Sequence, residues 1–502
     1  MKRTKRITGI LSAAVAALLL TTSCNDSYPG LNYEPNPDDQ PKNDEDLTID
    51  KTPIKLYTNN PAYFSIVSDT RGTRGTGAFE NDEDGGVVNK DKYLLSTFHV
   101  FAFRAYNPGG QGVLTIDPDM QRSAYSPDKV TSNDPQNTSC LLDGPDYNLG
   151  MPFRFENDQY IGTMGSLVKQ YNEDLYYSDR YQDVGYNFFG YYVDDFKPTN
   201  ANTHRGETSI SYDIDIDGYR DILVGYAKPL IAADFEDGGI YDANNVASLT
   251  KEDKEKILSI PGNYSTYAAH RNVNPIIDMK HQLVLLKFSA YAGAKSARKV
   301  TITGIEVETM TKAKMTVTAR NLEDCGLVFD ESQEKTPLPV GEVGDNTVDA
   351  SGNVVALGAY KNKLRESGYP VVWKDEWSDE TTPTDVKAAE AVRVGAGILV
   401  APQKSYKVTL TYYFYKGSEE NPVFNINDPL WEKHETEYKI APVKKSIDDD
   451  PSFDAGFKYN IKIGVYGLEK IEMGGSVKGW KSGDDITINP DDDPNNPNIN
   501  QK

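Results

Sequence analysis

Short segments in which apolar and polar residues alternate recur along most of this chain. The plainest example is 210–217, whose apolar residues all occupy even positions: Ile210, Tyr212, Ile214 and Ile216. Because successive side chains of a strand point to opposite faces, a period of two predicts a half-buried β-strand. The same pattern returns in 406–414 and 457–465, while helical patterns are scarce. We therefore predict an all-β chain folded into antiparallel β-sandwiches.

The length and the changes of composition predict how the chain is divided. A chain of 502 residues allows two or three domains, and we predict two tandem sandwich domains, residues 50–275 and 276–483, with long loop insertions. The segment 24–49 is rich in Asn, Asp and Pro and almost free of apolar residues, which is typical of a disordered tether. The end of the chain, 484–502, is acidic and rich in Pro and Asn, and we predict a disordered tail.

The first 23 residues have the layout of a signal peptide. Residues 1–6 are basic, and 10–20 form an apolar stretch too short to span a bilayer. The small residues before Cys24 resemble the lipobox of bacterial lipoproteins, in which the cysteine is lipidated and becomes the mature N-terminus. The alternative is an ordinary secretory signal with an incidental cysteine. Only Cys140 and Cys325 remain, so we expect no disulfide framework.

The net charge restricts the partners that the chain can have. Acidic residues number 75 against 53 basic ones, and the formal net charge is −22. Such a surface repels nucleic acid and anionic lipid headgroups, and it favours solubility outside the cell. We therefore expect no nucleic-acid partner.

An early strand followed by two arginines is the feature that most concerns function. Its apolar residues share one parity across a turn at Asn59-Asn60-Pro61, and they are Ile54, Leu56, Ala62, Phe64 and Ile66. The next residues, 68–77, are mostly Gly and Thr and contain Arg71 and Arg74. A segment with so little apolar content is predicted to be a solvated loop that proteases can reach. Further long loops are expected in 107–181 and 331–385.

Patterns for metal binding and catalysis are incomplete. The run that begins at Asp213 resembles an EF-hand loop, but the twelfth position holds Val224 where a bidentate glutamate is required. His434-Glu435 begins like a zinc-protease helix, but Tyr438 replaces the second histidine. Acidic pairs such as Asp194-Asp195 are too common here to identify a glycosidase. We expect no metal, no cofactor and no enzymatic activity.

Two tryptophans leave an alternative open. Trp373 and Trp377 lie near Pro370 and could stack on a sugar, or they could cover the edge of a core. The first interpretation would suit a surface glycan-binding lipoprotein.

A succession of local motifs, in order along the chain, resembles the fimbrillin family of Gram-negative anaerobes. The motifs are the lipoprotein signal and the segments 70–72, 98–103, 186–192, 221–224, 281–288, 300–307, 398–403 and 455–459, with Trp480 at the end. The resemblance implies two transthyretin-like β-sandwich domains. It also implies a lipidated precursor in the outer membrane and a trypsin-like protease that cuts after Arg71 or Arg74 and releases the first strand.

Loss of a strand would leave backbone groups unpaired and an apolar groove uncovered. A strand from the next subunit would pair those groups and cover that groove. Because each such contact is head-to-tail, the product is an open filament. The donor is expected near the C-terminus, in a segment containing Val477, Trp480, Ile486 and Ile488. The resemblance thus predicts a shaft or tip subunit of a cell-surface fimbria, with other pilin subunits as partners. An anchor subunit, a glycan-binding lipoprotein and an extracellular hydrolase are the alternatives.

Overall fold

The strands of the first half of the chain are numbered in order. The computed structural model describes residues 52–58, 97–106, 115–116, 140–142, 149–159, 165–169, 175–177, 185–193, 196–199, 201–205, 209–246, 249–319, 321–343, 347–348, 354–356, 360–442, 451–468, 470–479 and 486–488. The first strands are β1 (Leu56–Thr58), β2 (Thr97–Tyr106), β3 (Thr115–Ile116), β4 (Cys140–Leu142), β5 (Met151–Gln159), β6 (Gly165–Lys169), β7 (Tyr186–Val193), β8 (Thr203–Arg205), β9 (Ser209–Asp215), β10 (Ile222–Ala227) and β11 (Ile276–His281).

The second half adds sixteen strands, and helices are few among the described residues. The strands are β12 (Val284–Ala292), β13 (Val300–Thr309), β14 (Lys312–Ala319), β15 (Gly326–Phe329), β16 (Thr336–Pro339), β17 (Glu342–Val343), β18 (Thr347–Val348), β19 (Val354–Ala356), β20 (Tyr360–Lys361), β21 (Tyr369–Pro370), β22 (Val392–Val400), β23 (Tyr406–Tyr415), β24 (Trp431–Ile440), β25 (Phe457–Val465), β26 (Ile471–Gly479) and β27 (Ile486–Ile488). The α-helices are α1 (Lys251–Ser259), α2 (Thr266–Ala269) and α3 (Thr384–Ala389).

The described strands form four large sheets and two small two-stranded ones, β17-β20 and β18-β19, which confirms the all-β sandwich prediction. Sheet I has the order β3-β2-β5-β6-β1-β11-β10-β7, with β4 beside β2, and β2 also pairs with β7. Sheet I therefore closes on itself. Sheet II has the order β15-β14-β9-β8, sheet III β22-β12-β25-β26-β27, and sheet IV β16-β13-β23-β24 with β21 beside β13.

Among the described strands, two pairs depart from the antiparallel pattern. β1 runs parallel to β11, and β12 runs parallel to β25. Parallel neighbours require a long crossover, and here the chain between β12 and β25 passes through other sheets before it returns. Pairing also crosses residue 275, because β11 belongs to sheet I and sheet II joins β9 to β14. The division near Pro275 remains a prediction.

Three apolar clusters lie between these layers. One is enclosed by sheet I and the helices α1 and α2, and it contains Phe98, Val100 and Phe188. A second lies between sheets I and II and includes Phe101 of β2, so β2 is covered on both faces as its apolar pattern predicts. The third fills the space between sheets III and IV.

Local patterns in the sequence account for several elements. The four alternating apolar residues of 210–217 are all buried in the second cluster, while Asp213 and Asp215 are exposed. The register of β13 against β23 shifts between Ile302 and Gly304, where the apolar parity of the sequence changes, as expected for a β-bulge.

Helix α1 begins with a capping box. The Thr250 hydroxyl accepts from the Asp253 backbone N–H at 3.1 Å, and the Asp253 carboxylate accepts from the Thr250 N–H at 3.1 Å. The same carboxylate accepts from the Tyr267 hydroxyl at 2.7 Å and from Arg271 Nε at 2.6 Å. These bonds connect α1 with α2. The hydrogen bond from Tyr267, then that from Arg271, lowers the pKa of Asp253 well below its ordinary value.

Asp253→Asn is expected to reduce the dependence of stability on acid pH. A carboxylate with a lowered pKa in the folded state contributes stability that is fully present above its unfolded pKa, about 4, and is lost as the pH falls below that value. Thermal melts at pH 7 and pH 3 will measure this loss, which is expected to be smaller in the variant. Glu252→Gln is the control from the same helical turn. An equal pH dependence in Asp253→Asn and the unmodified chain would contradict the assignment.

Candidate strand-exchange site

The first described strand, β1, is an inner strand of sheet I. It pairs antiparallel with β6, Leu56 opposite Leu167, and parallel with β11, Tyr57 opposite Ile276. All three residues of β1 are buried, and Leu56 is 1% exposed. The Thr58 hydroxyl adds a hydrogen bond to the carbonyl oxygen of Ile277 at 3.1 Å. The strand is thus held on both edges and by its side chains.

The residues before β1 are held as well. The Ile54 N–H donates to the carbonyl of Leu175 at 2.9 Å, and the Tyr177 N–H donates to the carbonyl of Thr52 at 3.0 Å. The Thr52 hydroxyl also makes a short hydrogen bond with Nε2 of His270. Residues 52–58 therefore form one continuous contact with the body of the protein.

Removal of this segment would expose a defined slot. Its walls are the backbone edges of β6 and β11, and its floor is the first apolar cluster, where Leu167, Ile277 and Met279 are buried. A buried backbone group that loses its partner costs about 1–3 kcal/mol. A strand of any origin that restores the two ladders and fills the position of Leu56 would stabilise the slot.

The structure describes part of the predicted first-strand set. Leu56 lies in β1, and the half-buried Ile54 packs against the same apolar cluster. Phe64, Ile66, both candidate cleavage positions Arg71 and Arg74, and the lipidation candidate Cys24 lie outside the described residues. Their roles stay predictions.

The predicted donor segment lies at the edge of sheet III. In the described backbone, Val477 of β26 pairs with Tyr459 of β25 and with Ile486 of β27, and Ile488 pairs with Gly475. Trp480 lies outside the described residues. Because β27 ends the strand order of its sheet, it can detach by breaking one short ladder.

The walls of the slot were not recognisable in the sequence. β5 and β6 lie in the region 107–181, where Gly, Pro and Asp predicted long loops. The order of strands around β1 is set by contacts between residues about 110 and 220 positions apart, which a two-residue period does not encode.

The other polar candidates have local structural roles. Asp213 lies 2.8 Å from His204 of the neighbouring strand, and Asp217 accepts from the N–H groups of Tyr219 and Arg220 in a turn. His434 stacks on Tyr412, with ring centres 5.4 Å apart. Across the described residues no group of three or more His, Cys, Asp and Glu side chains is arranged to hold a metal ion. Asp194 and Asp195 lie outside the described residues.

The tryptophan pair is mostly part of a core. Trp373 is buried in the third cluster, and its ring lies edge-on to Trp377 at 5.6 Å. The ammonium of Lys387 lies over the Trp373 ring, 5.0 Å from its centre. A buried indole presents no face to a sugar, so Trp373 covers the edge of the core.

A cleft of about 410 Å³ opens where β10, β11, the turn at 322–325 and residues 455–457 meet. The Tyr226 hydroxyl donates to Glu323 at 2.9 Å, and Phe457 forms part of the wall. Burial, with the nearby charge of Asp324, raises the pKa of Cys325 to about 12. The thiol therefore stays protonated at neutral pH and is a poor nucleophile.

One buried polar pair was missed in the sequence. His281 Nδ1 lies 2.8 Å from Asp221 Oδ2, and the side chains are 0% and 1% exposed. Asp221 Oδ1 also accepts from the Ile222 N–H at 2.9 Å. The pair fixes the start of β10 against the end of β11, one of the two walls of the slot.

Fold and site together define a class: an all-β protein of stacked sheets in which the first described strand is an inner strand of a sheet. No family model matches the chain, and no curated protein sequence matches it significantly. No helix in the described part of the chain has both the length and the apolar character needed to cross a bilayer.

Solved structures give distant similarities. A candidate cell adhesion protein from Bacteroides ovatus has 10% identity and a TM-score of 0.37, over 87% of this chain and 100% of that one. Another, from Bacteroides uniformis, has 10% identity and a TM-score of 0.36, over 86% and 98%. The fimbrial anchor protein Mfa2 from Porphyromonas gingivalis has 8% identity and a TM-score of 0.26, over 87% and 100%.

Proposed function

We propose that this chain is a structural subunit, shaft or tip, of a cell-surface fimbria. It is exported as a lipoprotein precursor, lipidated at Cys24, to the outer membrane. A trypsin-like protease cuts after Arg71 or Arg74, the segment containing β1 leaves, and a strand from the next subunit takes its place. The donor segment contains Val477, Trp480, Ile486 and Ile488.

The observation that supports this proposal most is the position of β1. A three-residue strand that pairs on both edges leaves an apolar slot with two open ladders when it is removed. The candidate donor supports it from the other side, because β27 ends its sheet and pairs over three residues. The proposal requires no cofactor.

Mild trypsin digestion of the precursor is expected to cut after Arg71 or Arg74 and then to produce ladders of multimers. The physical reason is that a cut chain can satisfy its open ladders only with a strand from another copy. Arg71→Gln with Arg74→Gln should stay uncut and monomeric, while Lys363→Gln, in an exposed turn, should be processed normally. Light scattering and gel electrophoresis measure the products. A cut chain that releases its first segment and stays monomeric would contradict strand exchange.

The donor is tested separately. Ile486→Asp with Ile488→Asp should permit the cut but stop growth, because charged side chains cannot enter the apolar slot. Growth at the normal rate would assign the donor to another segment.

A further inference from the structure

The slot that β1 fills has a polar position beside its apolar one. Leu56 and Thr58 are two residues apart, so their side chains point to the same face of the strand. They are 1% and 0% exposed. Leu56 packs in the first apolar cluster, whereas the Thr58 hydroxyl donates to the carbonyl oxygen of Ile277 at 3.1 Å. The two positions therefore differ in the chemistry that fills them.

The Thr58 position restricts which residues a replacing strand can place there. Its backbone pairs with Ile277 on β11 and with Gly165 on β6, so proline is excluded, because it has no N–H and is not found in central strands. Valine has the shape of threonine but leaves the hydrogen bond to Ile277 unmade. Isoleucine adds a further methylene to a site that is already closed. Threonine or serine is therefore the residue that the position favours.

The candidate donor segment of this chain does not contain such a pair of residues. Within 471–490, no aliphatic residue is followed two positions later by Thr or Ser. Ile486 is followed at that spacing by Ile488, and Ile488 by Pro490. If Ile486 takes the place of Leu56, Ile488 takes that of Thr58 and adds bulk without a hydroxyl. If Ile488 takes the place of Leu56, Pro490 falls on the doubly paired backbone.

The other placements of this segment are no better. A donor that runs in the opposite direction, with Ile486 in the place of Leu56, brings Asp484 to the place of Thr58, where a charge would be buried. Val477 has a glycine two positions before it and another two positions after it, and glycine brings neither a hydroxyl nor a side chain to fill the site. The polar position of the slot is thus mismatched to the tail.

We propose that the slot selects a strand in which an aliphatic residue is followed, two positions later, by Thr or Ser. The strand that it binds most tightly therefore comes from a subunit other than a copy of this chain. The Leu56 position supplies affinity through apolar burial, and the Thr58 position supplies selectivity. A copy of this chain fills the slot when no other donor is present, but less tightly. This inference rests on the proposed strand exchange.

The test uses the full chain, cut by trypsin after Arg71 or Arg74, with the trypsin then inhibited. The probe is a fluorescent peptide of residues 51–60, and unlabelled peptides compete with it in an anisotropy assay. The Thr58→Val peptide is expected to bind about fivefold more weakly than the native sequence, because it lacks one hydrogen bond. The Lys55→Gln peptide is the control, because Lys55 is exposed, and it should bind like the native sequence. The uncut precursor should bind none of them.

A peptide of residues 483–492 represents the tail of this chain. It is expected to bind about tenfold more weakly than the 51–60 peptide, because it brings Ile488 to the place of Thr58. Ile488→Thr in this peptide should strengthen its binding about tenfold, since it restores an aliphatic residue and a hydroxyl at the right spacing. Ile488→Val removes the extra methylene without adding a hydroxyl, so it should strengthen binding less than Ile488→Thr.

The outcomes separate this inference from strand exchange itself. If the 51–60 peptide binds and its Thr58→Val form binds equally well, the slot opens but does not select a hydroxyl, and the inference is wrong. The same follows if the unmodified tail peptide binds as tightly as the 51–60 peptide. If the cut chain binds neither the 51–60 peptide nor the tail peptide, the slot does not open, and the proposed strand exchange fails together with this inference.

Discussion

Leu56→Ala is expected to lower the free energy of unfolding of the precursor by about 2–5 kcal/mol. Leu56 is 1% exposed, in a strand held between β6 and β11, so its truncation leaves a cavity that rigid neighbours on both sides cannot fill. Denaturant unfolding with an unchanged slope measures the loss. If strand exchange operates as proposed, the effect should be confined to the uncut chain, because residue 56 is then removed from the mature subunit.

Val328→Ala is the control, because Val328 is 61% exposed in β15 and its truncation should change stability by less than about 0.5 kcal/mol. The informative comparison is between precursor and multimer. Multimers prepared from Leu56→Ala and from the unmodified chain should be equally stable. A difference that persists after the cut would mean that the first strand remains in place.

Asp221→Ala is expected to cost about 1–3 kcal/mol, because it leaves His281 buried without its carboxylate neighbour. The start of β10 would also lose the bond from the Ile222 N–H. Replacement of both residues by leucine should cost less than the single change, since the buried imidazole is then removed together with the carboxylate. Chemical denaturation of Asp221→Leu, of His281→Leu and of the variant that combines them gives the coupling energy.

The chain supplies a matched comparison for this pair. His204 and Asp213 lie at the same distance, 2.8 Å, but their side chains are 47% and 58% exposed. Asp213→Ala is therefore expected to cost less than about 1 kcal/mol, because water screens an exposed pair. Similar losses for Asp213→Ala and Asp221→Ala would show that burial is not the cause.

Patterns within a few residues account for much of the local structure. The alternation in 210–217, the bulge at Gly304 and the capping of α1 by Thr250 each depend on neighbours in sequence, and each is present. Apolar residues occupy both even and odd positions of β2, which likewise indicates a strand that is covered on both faces. Such features follow from local geometry and from burial on one or two faces.

The arrangement of the site depends on distant contacts and was not predictable in the same way. The apolar pattern of 54–66 indicates a strand but not that its neighbours are β6 and β11. Trp373 and Trp377 lie in the same short stretch of sequence, and that stretch does not indicate whether either ring is buried. The packing of the fold is what buries Trp373. Phe457 continues the alternation of β25, but it is 40% exposed at the edge of the cleft.

The long separation between β1 and its partners has a consequence for biosynthesis. Thr58 bonds to Ile277, 219 residues later, so the first described strand cannot pair with β11 until the chain has been made as far as that residue. Closing so long a loop is slow and entropically costly. Each newly made molecule therefore passes through a period in which the position of β1 is vacant and residues 52–58 compete for it with any other strand nearby.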